Sequence, residues 1–123
     1  MNVLLVALGG SIGAVARYGL AGLVQRFTTP YFPFGTFVVN VAGCFVFGTL
    51  AGVAEHRFAL GPQPRAFLLI GILGGFTTFS SFTYETFQLL RDAEIMRASL
   101  NAGGQLVVGL IAMWLGFVLA RLP

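Results

Sequence analysis

Residues 67–90 have the sequence FLLIGILGGFTTFSSFTYETFQLL, an apolar run that becomes polar halfway along. The run is long enough to cross a hydrocarbon core, which needs about 20 residues at helical rise. Gly74 and Gly75 come just before the β-branched Thr77 and Thr78, and these residue types make a weak helix. The pattern predicts a membrane helix that is broken near its middle. An unbroken helix whose hydroxyls bond to the preceding turn is the alternative.

Three more apolar stretches of similar length accompany this one, at residues 3–24, 34–54 and 98–120. The chain is 57% hydrophobic and only 9% charged, with a mean hydropathy of +0.89, whereas soluble domains are about 25% charged. The prolines fall between the stretches or after the last one, at Pro30, Pro33, Pro62, Pro64 and Pro123. The sequence therefore predicts an all-α integral membrane protein, with four glycine-rich helices packed closely in a single domain over residues 1–123.

Several function classes are disfavoured by composition. The formal charge of +3 is spread along the chain, so no basic patch indicates nucleic-acid binding. Cys44 is the only cysteine and His56 the only histidine, which excludes an internal disulfide and a Cys/His metal cluster. The chain has no phosphate-binding glycine loop, no HExxH and no close carboxylate pair. We predict that it is not an enzyme and that it uses no organic cofactor.

The loop arginines are evenly divided between the two sides of the membrane, although their distribution normally sets the orientation of a membrane protein. Three lie on the side of the termini and three on the other: Arg57, Arg65 and Arg121 against Arg26, Arg91 and Arg97. An even division predicts that the chain inserts both ways up, which permits an antiparallel two-fold dimer. The alternative is that a weak bias, such as the N-terminal amine, selects one orientation.

A pair of phenylalanines stands out in the polar half of residues 67–90. Phe79 and Phe82 are three residues apart, so both project from one face of a helix, with Ser80 and Ser81 between them. A phenyl ring has a positive edge, so rings turned edge-on can contact a small anion. The pair predicts an anion site without a formal charge. Simple packing of two aromatic side chains is the alternative.

Other polar side chains inside the spans are functional candidates because lipid makes them costly. Asn40 can donate hydrogen bonds to an anion or can join helices, and Asn101 and Gln105, four residues apart, have the same two possible roles. Arg17 and Glu85 are formal charges within spans. Arg17 either attracts anions to a vestibule or extends to the membrane interface.

Three strings of the chain together resemble the Fluc fluoride channels, also called CrcB proteins. They are GGSIGAVARY at residues 9–18, FGTFVVNVAG at 34–43 and GGFTTFSSFTYE at 74–85. The match runs in order over all four spans, and its most specific part is GGFTTFSSF. The resemblance implies a dual-topology homodimer in the bacterial cytoplasmic (inner) membrane, with two antiparallel pores that passively let fluoride leave the cytoplasm.

The resemblance also implies roles for individual residues. Phe79 and Phe82 correspond to ring edges along the fluoride path, and Asn40 to a hydrogen-bond donor to the ion. The backbone carbonyls of Gly74 and Thr77 correspond to a structural sodium site at the dimer centre. The same motifs assign further pathway positions and one vestibule position, namely Thr78, Ser80, Ser81 and Glu85 for the pathway and Arg17 for the vestibule.

The fourth stretch departs from the family pattern. Members of the family carry a tyrosine and serines at helical spacing there, whereas this chain has Asn101, Gln105 and Gly109. A polar stripe is kept, so Asn101 and Gln105 stay among the expected pathway residues with different donors. Two other functions stay open: a small multidrug-type transporter, which relies on a first-helix carboxylate that residues 3–24 lack, and a non-conducting membrane assembly subunit.

Overall fold

The computed structural model describes residues 2–123, and four long helical spans dominate it. Helix α1 is Asn2–Arg26 and helix α2 is Phe34–His56. The third span is Pro62–Arg91, and the last helix, α5, is Ile95–Leu119. All four are long and apolar enough to cross a membrane, and residues 2–123 contain no β-strand. The predicted all-helical membrane fold is confirmed.

The third span consists of two helical parts separated by extended residues. Helix α3, residues 62–76, starts with the α-helical turn Pro62–Arg65, continues as a π-helix over Ala66–Leu73 and ends with Gly74–Phe76. The backbone then becomes extended at Thr77 (φ −83°, ψ 155°) and Thr78 (φ −147°, ψ 113°). Helix α4 follows at Phe79–Arg91, and the Thr78 hydroxyl caps it by accepting a 3.2 Å bond from the Ser81 N–H.

The prolines before the third span correct one expectation. We predicted that no span contains a proline, but Pro62 and Pro64 occupy the first turn of α3. The N–H groups of a first turn have no intrahelical acceptor, so a proline there removes no hydrogen bond. The third span therefore starts earlier than residue 67.

The helices pack in two closely fitting pairs, α1 with α3 and α2 with α5. Glycines line both contacts: a Cβ added at Gly9 would lie 2.5 Å from the Phe67 carbonyl oxygen, and one at Gly13 would collide with that of Ile72. In the second pair, a Cβ at Gly48 or Gly116 would likewise strike the facing backbone. The backbones thus touch directly, as small residues allow in membranes.

The outer surface of the bundle is strongly apolar. Large hydrophobic side chains on every span are exposed, whereas the buried apolar core is small and centres on Val39, Leu69 and Leu73. A soluble protein rarely exposes so much contiguous apolar surface, but lipid tails solvate it well. The protein is therefore a multi-pass membrane protein.

Candidate functional site

Asn40 on α2 binds the extended backbone of the third span at Thr78. Its Oδ1 accepts a 2.9 Å hydrogen bond from the Thr78 N–H, and its Nδ2 donates to the Thr78 carbonyl at 3.1 Å. Because Thr78 lies outside both helical parts, these backbone groups need partners from elsewhere. One asparagine side chain supplies both.

A chain of buried amides continues from Asn40. Its Nδ2 also donates to Gln105 Oε1 at 2.8 Å, and Gln105 Nε2 donates to Asn101 Oδ1 at 2.9 Å. Asn101 Nδ2 donates to the Thr86 hydroxyl at 2.9 Å, which donates to the Phe82 carbonyl at 2.8 Å. Asn101 is 0% exposed and Gln105 8%. Polar side chains of three helices are thus joined inside the bundle.

Phe79 and Phe82 lie at the start of α4, with ring centroids 5.8 Å apart and ring planes inclined by 47°. Phe79 is 78% exposed and Phe82 is half-buried. Both line a cavity of about 350 Å³ that also borders Asn40, Thr77 and Gln105. Neither ring is enclosed in the core, so both are free to face a ligand in this cavity.

A second cavity, of about 730 Å³, also borders Thr78, so this residue lines both cavities. The second cavity is bordered by Arg17, Ser81 and Glu85. The Thr36 hydroxyl donates a 2.6 Å hydrogen bond to Glu85 Oε1. Charged side chains of both signs therefore line this cavity next to the extended residues, namely two arginines and three carboxylates: Arg17, Arg97, Glu85, Asp92 and Glu94.

Arg17 reaches the end of α3. Its Nε donates a 3.2 Å hydrogen bond to the Gly75 carbonyl, which in a continuous helix would bond the Phe79 N–H. A guanidinium beside the carboxyl end of a helix also interacts favourably with the helix dipole. Arg17 therefore caps the first part of the third span while it lines the larger cavity.

The carbonyl oxygens of Gly74 and Thr77 lack their usual helical donors. The Thr78 N–H, which would bond the Gly74 carbonyl, is donated to Asn40, and the Ser81 N–H, which would bond that of Thr77, is donated to the Thr78 hydroxyl. Gly74 is exposed and Thr77 half-buried. Free carbonyl oxygens at interrupted membrane helices suit an alkali cation, so this donor set fits the predicted sodium ion.

The structure brings most of the predicted site residues to the two cavities. Three of them lie apart: Gly74, Ser80 and Asn101 line neither cavity. Ser80 is exposed, with its hydroxyl 3.4 Å from that of Thr78. Asn101 is fully buried as a member of the amide chain.

Two residues with defined partners were missed from the sequence. Thr86 completes the amide chain, but nothing in its spacing distinguishes it from the other hydroxyls of α4. Gln25 orders the loop between α1 and α2, since its amide donates to the carbonyls of Thr29 and Phe32 and accepts from the Gly35 N–H. A polar residue at the end of a span, just before a proline-containing loop, is a weak signal for this role.

Fold and site together define a four-span membrane protein whose third span is interrupted beside a buried polar chain. A family model described as CrcB-like protein, Camphor Resistance (CrcB), matches residues 4–117. The chain belongs to this family, the Fluc or CrcB family.

Relatives that share most of this chain are named "Fluoride-specific ion channel FluC". The one from Nitratidesulfovibrio vulgaris (strain Miyazaki F) is 50% identical over 121 residues, which cover 98% of each chain. The one from Methylobacillus flagellatus is 48% identical over 122 residues, covering 98% of this chain and 95% of the relative. That from Opitutus terrae is 48% identical over 119 residues, covering 95% and 90%. This chain therefore corresponds to its relatives over nearly their full lengths.

Proposed function

We propose that the protein is a fluoride-selective ion channel, not an enzyme, that passively exports fluoride from the cytoplasm. Fluoride is proposed as the conducted ion because the chain belongs to a family in which relatives of this chain are named fluoride-specific ion channels. The observation that carries the proposal is the placement of Phe79, Phe82 and Asn40 around one cavity. This cavity offers ring edges and an amide to an anion without a full positive charge.

In the proposed pathway, fluoride exchanges its hydration shell for weakly positive groups, as ions do in channel filters. The edges of Phe79 and Phe82 contact the ion on one side. Asn40 donates from the other side, although both of its amide protons are engaged with Thr78 and Gln105 in the absence of an ion. Fluoride therefore competes with the Thr78 carbonyl for one of these protons. The hydrogen bond from Asn40 to Gln105 is kept. The hydroxyls of Thr78, Ser80 and Ser81 extend the path.

The larger cavity serves as a vestibule in this proposal. Arg17 and Arg97 attract the anion, and the three carboxylates of the same cavity, with Glu85 held by Thr36 among them, limit how tightly an anion is retained. Conduction needs an ion to enter easily and also to leave easily. Opposite charges in one vestibule fit that need.

Two copies of the chain form the channel in our proposal, in antiparallel orientation and with two pores. The even division of loop arginines supports both orientations.

In an Ala59→Cys variant lacking Cys44, about half of the introduced cysteines should react with a membrane-impermeant maleimide on intact cells, because half of the copies expose that loop outside. All should react after permeabilisation. Labelling that is complete or absent on intact cells contradicts dual topology.

A structural sodium ion would be held between the copies by the carbonyls of Gly74 and Thr77. Support comes from the missing helical donors of both oxygens.

Replacing sodium with N-methyl-D-glucamine during purification and reconstitution should lower both the dimer fraction and fluoride efflux, because the sodium site stabilises the assembled form. Efflux should fall by about tenfold. Readdition of sodium should restore both. Unchanged efflux and dimer fraction without sodium would rule the site out.

Fluoride release from liposomes that contain the purified protein tests the proposed function. A channel needs only the fluoride gradient and a counter-ion pathway, so release should be independent of any proton gradient. Release that depends on an opposing proton or substrate gradient would favour a coupled transporter. No release at all would leave only a non-conducting assembly role.

A further inference from the structure

The orientation of every amide in the buried chain follows from the backbone of Thr78. A backbone N–H only donates and a carbonyl only accepts, so the two Thr78 bonds require Asn40 Oδ1 on one side and Nδ2 on the other. Asn40 Nδ2 then requires an acceptor from Gln105, which leaves Gln105 Nε2 to donate to Asn101. Reversing any amide would place two donors or two acceptors against each other.

The hydrogen bonds of this chain therefore run head to tail. They start at the Thr78 N–H, pass through the amides of Asn40, Gln105 and Asn101 and the hydroxyl of Thr86, and end at the Phe82 carbonyl. Bonds in such a series polarise one another. The series also links Thr78, which caps α4, to Phe82, whose ring lines the smaller cavity.

Asn101 and Gln105 are buried, and each uses its amide oxygen and its amide nitrogen on neighbours inside the bundle. Asn101 is 0% exposed and borders neither cavity, whereas Gln105, at 8% exposure, borders the smaller cavity but bonds amides on both sides. A buried polar group that loses its partner is costly, so the members of the series hold one another in place. Their effect on an ion is therefore expected to pass through the neighbours that they hold, chiefly Asn40.

We infer that Gln105 and Asn101 are positioning residues that fix the Asn40 amide and, through it, the extended backbone at Thr78. They do this in series and do not touch the ion independently. The inference rests on the proposed function for its effect on fluoride, but the structural part concerns the Thr78 backbone alone. Two readouts separate these parts.

The test is a double-mutant cycle with Gln105→Met and Asn101→Leu, which keep the side-chain size and remove the amides. Each single change should slow fluoride efflux from liposomes by about tenfold, because Asn40 loses either its Gln105 partner or the Asn101 bond that holds Gln105 in place. The double variant should lose no more than about a further factor of two, since a series is already broken by its first gap. Leu110→Met, at an exposed position of the same helix, is the matched control.

Hydrogen–deuterium exchange at the Thr78 amide is the second readout, because it does not require conduction. Exchange should accelerate by about tenfold or more in Gln105→Met and should stay unchanged in Leu110→Met. If the wild type conducts but neither efflux nor exchange responds to the two changes, the inference is overturned. Losses of efflux that multiply in the double variant also overturn it, because they indicate independent contacts with the ion. If the wild type does not conduct, the proposed function fails, and exchange alone decides the positioning role.

Discussion

Phe82→Ile and Phe79→Ile should each reduce fluoride efflux by about tenfold or more while the protein stays folded. Isoleucine is apolar and nearly as large, but it offers no positive ring edge to an anion. Phe79 is 78% exposed, so its ring contributes little to the core. Because both rings line the same cavity, the two substitutions remove the same kind of contact. Efflux from liposomes measures the effect, and thermal unfolding in detergent checks the fold.

Phe87→Ile is the control for these substitutions. Phe87 lies on the same helix and is 55% exposed, but it borders neither cavity. Its substitution should leave efflux near the wild-type value. Wild-type efflux in both cavity variants would refute the role of the rings, and an equal loss in Phe87→Ile would show that loss of any phenylalanine on α4 impairs the protein.

Asn40→Asp should nearly abolish fluoride efflux, with a loss of about a hundredfold or more. The change alters almost no volume. It replaces Nδ2, which donates to the Thr78 carbonyl and to Gln105 Oε1, with a carboxylate oxygen that faces both acceptors. It also places a negative charge in the proposed path of an anion. The substitution therefore removes the hydrogen bond from Asn40 to the Thr78 carbonyl and also repels the ion.

Asn2→Asp, the same chemical change at an exposed position of α1, is the control for Asn40→Asp and should leave efflux unchanged. Thermal unfolding shows whether efflux is lost at position 40 because the protein unfolds or because the folded protein no longer conducts. A folded, inactive variant supports a role in the path. Efflux at the wild-type rate in folded Asn40→Asp would contradict both the donor role of Asn40 and the importance of its bonds to Thr78.

Hydropathy and charge were enough to predict the helical membrane fold, because the cost of polar groups in lipid constrains a chain strongly. The weak helix formers at residues 74–78 also directed attention to the region where the structure has extended residues, Thr77 and Thr78. Helix ends were harder to place. Pro62 and Pro64 start the third span instead of preceding it, since a first turn tolerates proline as well as a loop does.

The connections within the site could not be predicted from local spacing. Asn40 was recognised as a costly polar residue, but its bonds to Thr78 depend on how α2 packs against the third span. Arg17 was expected to be either a vestibule charge or an interfacial residue. Its bond to the Gly75 carbonyl adds a capping role that requires the end of α3 to lie within reach. Such tertiary pairings have no periodicity that a sequence pattern can reveal.

The structure shows what the two polar side chains of the fourth span, Asn101 and Gln105, hold together. The amides of Asn101 and Gln105 together bridge α2 and α4. Their spacing predicted one polar face, and the structure places both on it, buried and bonded to each other. Whether a polar face contacts an ion or holds another residue depends on its partners, which spacing alone does not specify.

Paired fluoride and chloride electrodes on liposomes loaded with equal amounts of both potassium salts give the most direct test of the channel proposal. Valinomycin releases potassium, so efflux of either anion is limited only by the reconstituted protein. We predict rapid fluoride release while chloride stays at the level of protein-free liposomes. Fluoride release no faster than from protein-free liposomes, or chloride release at the same rate as fluoride, would contradict the account.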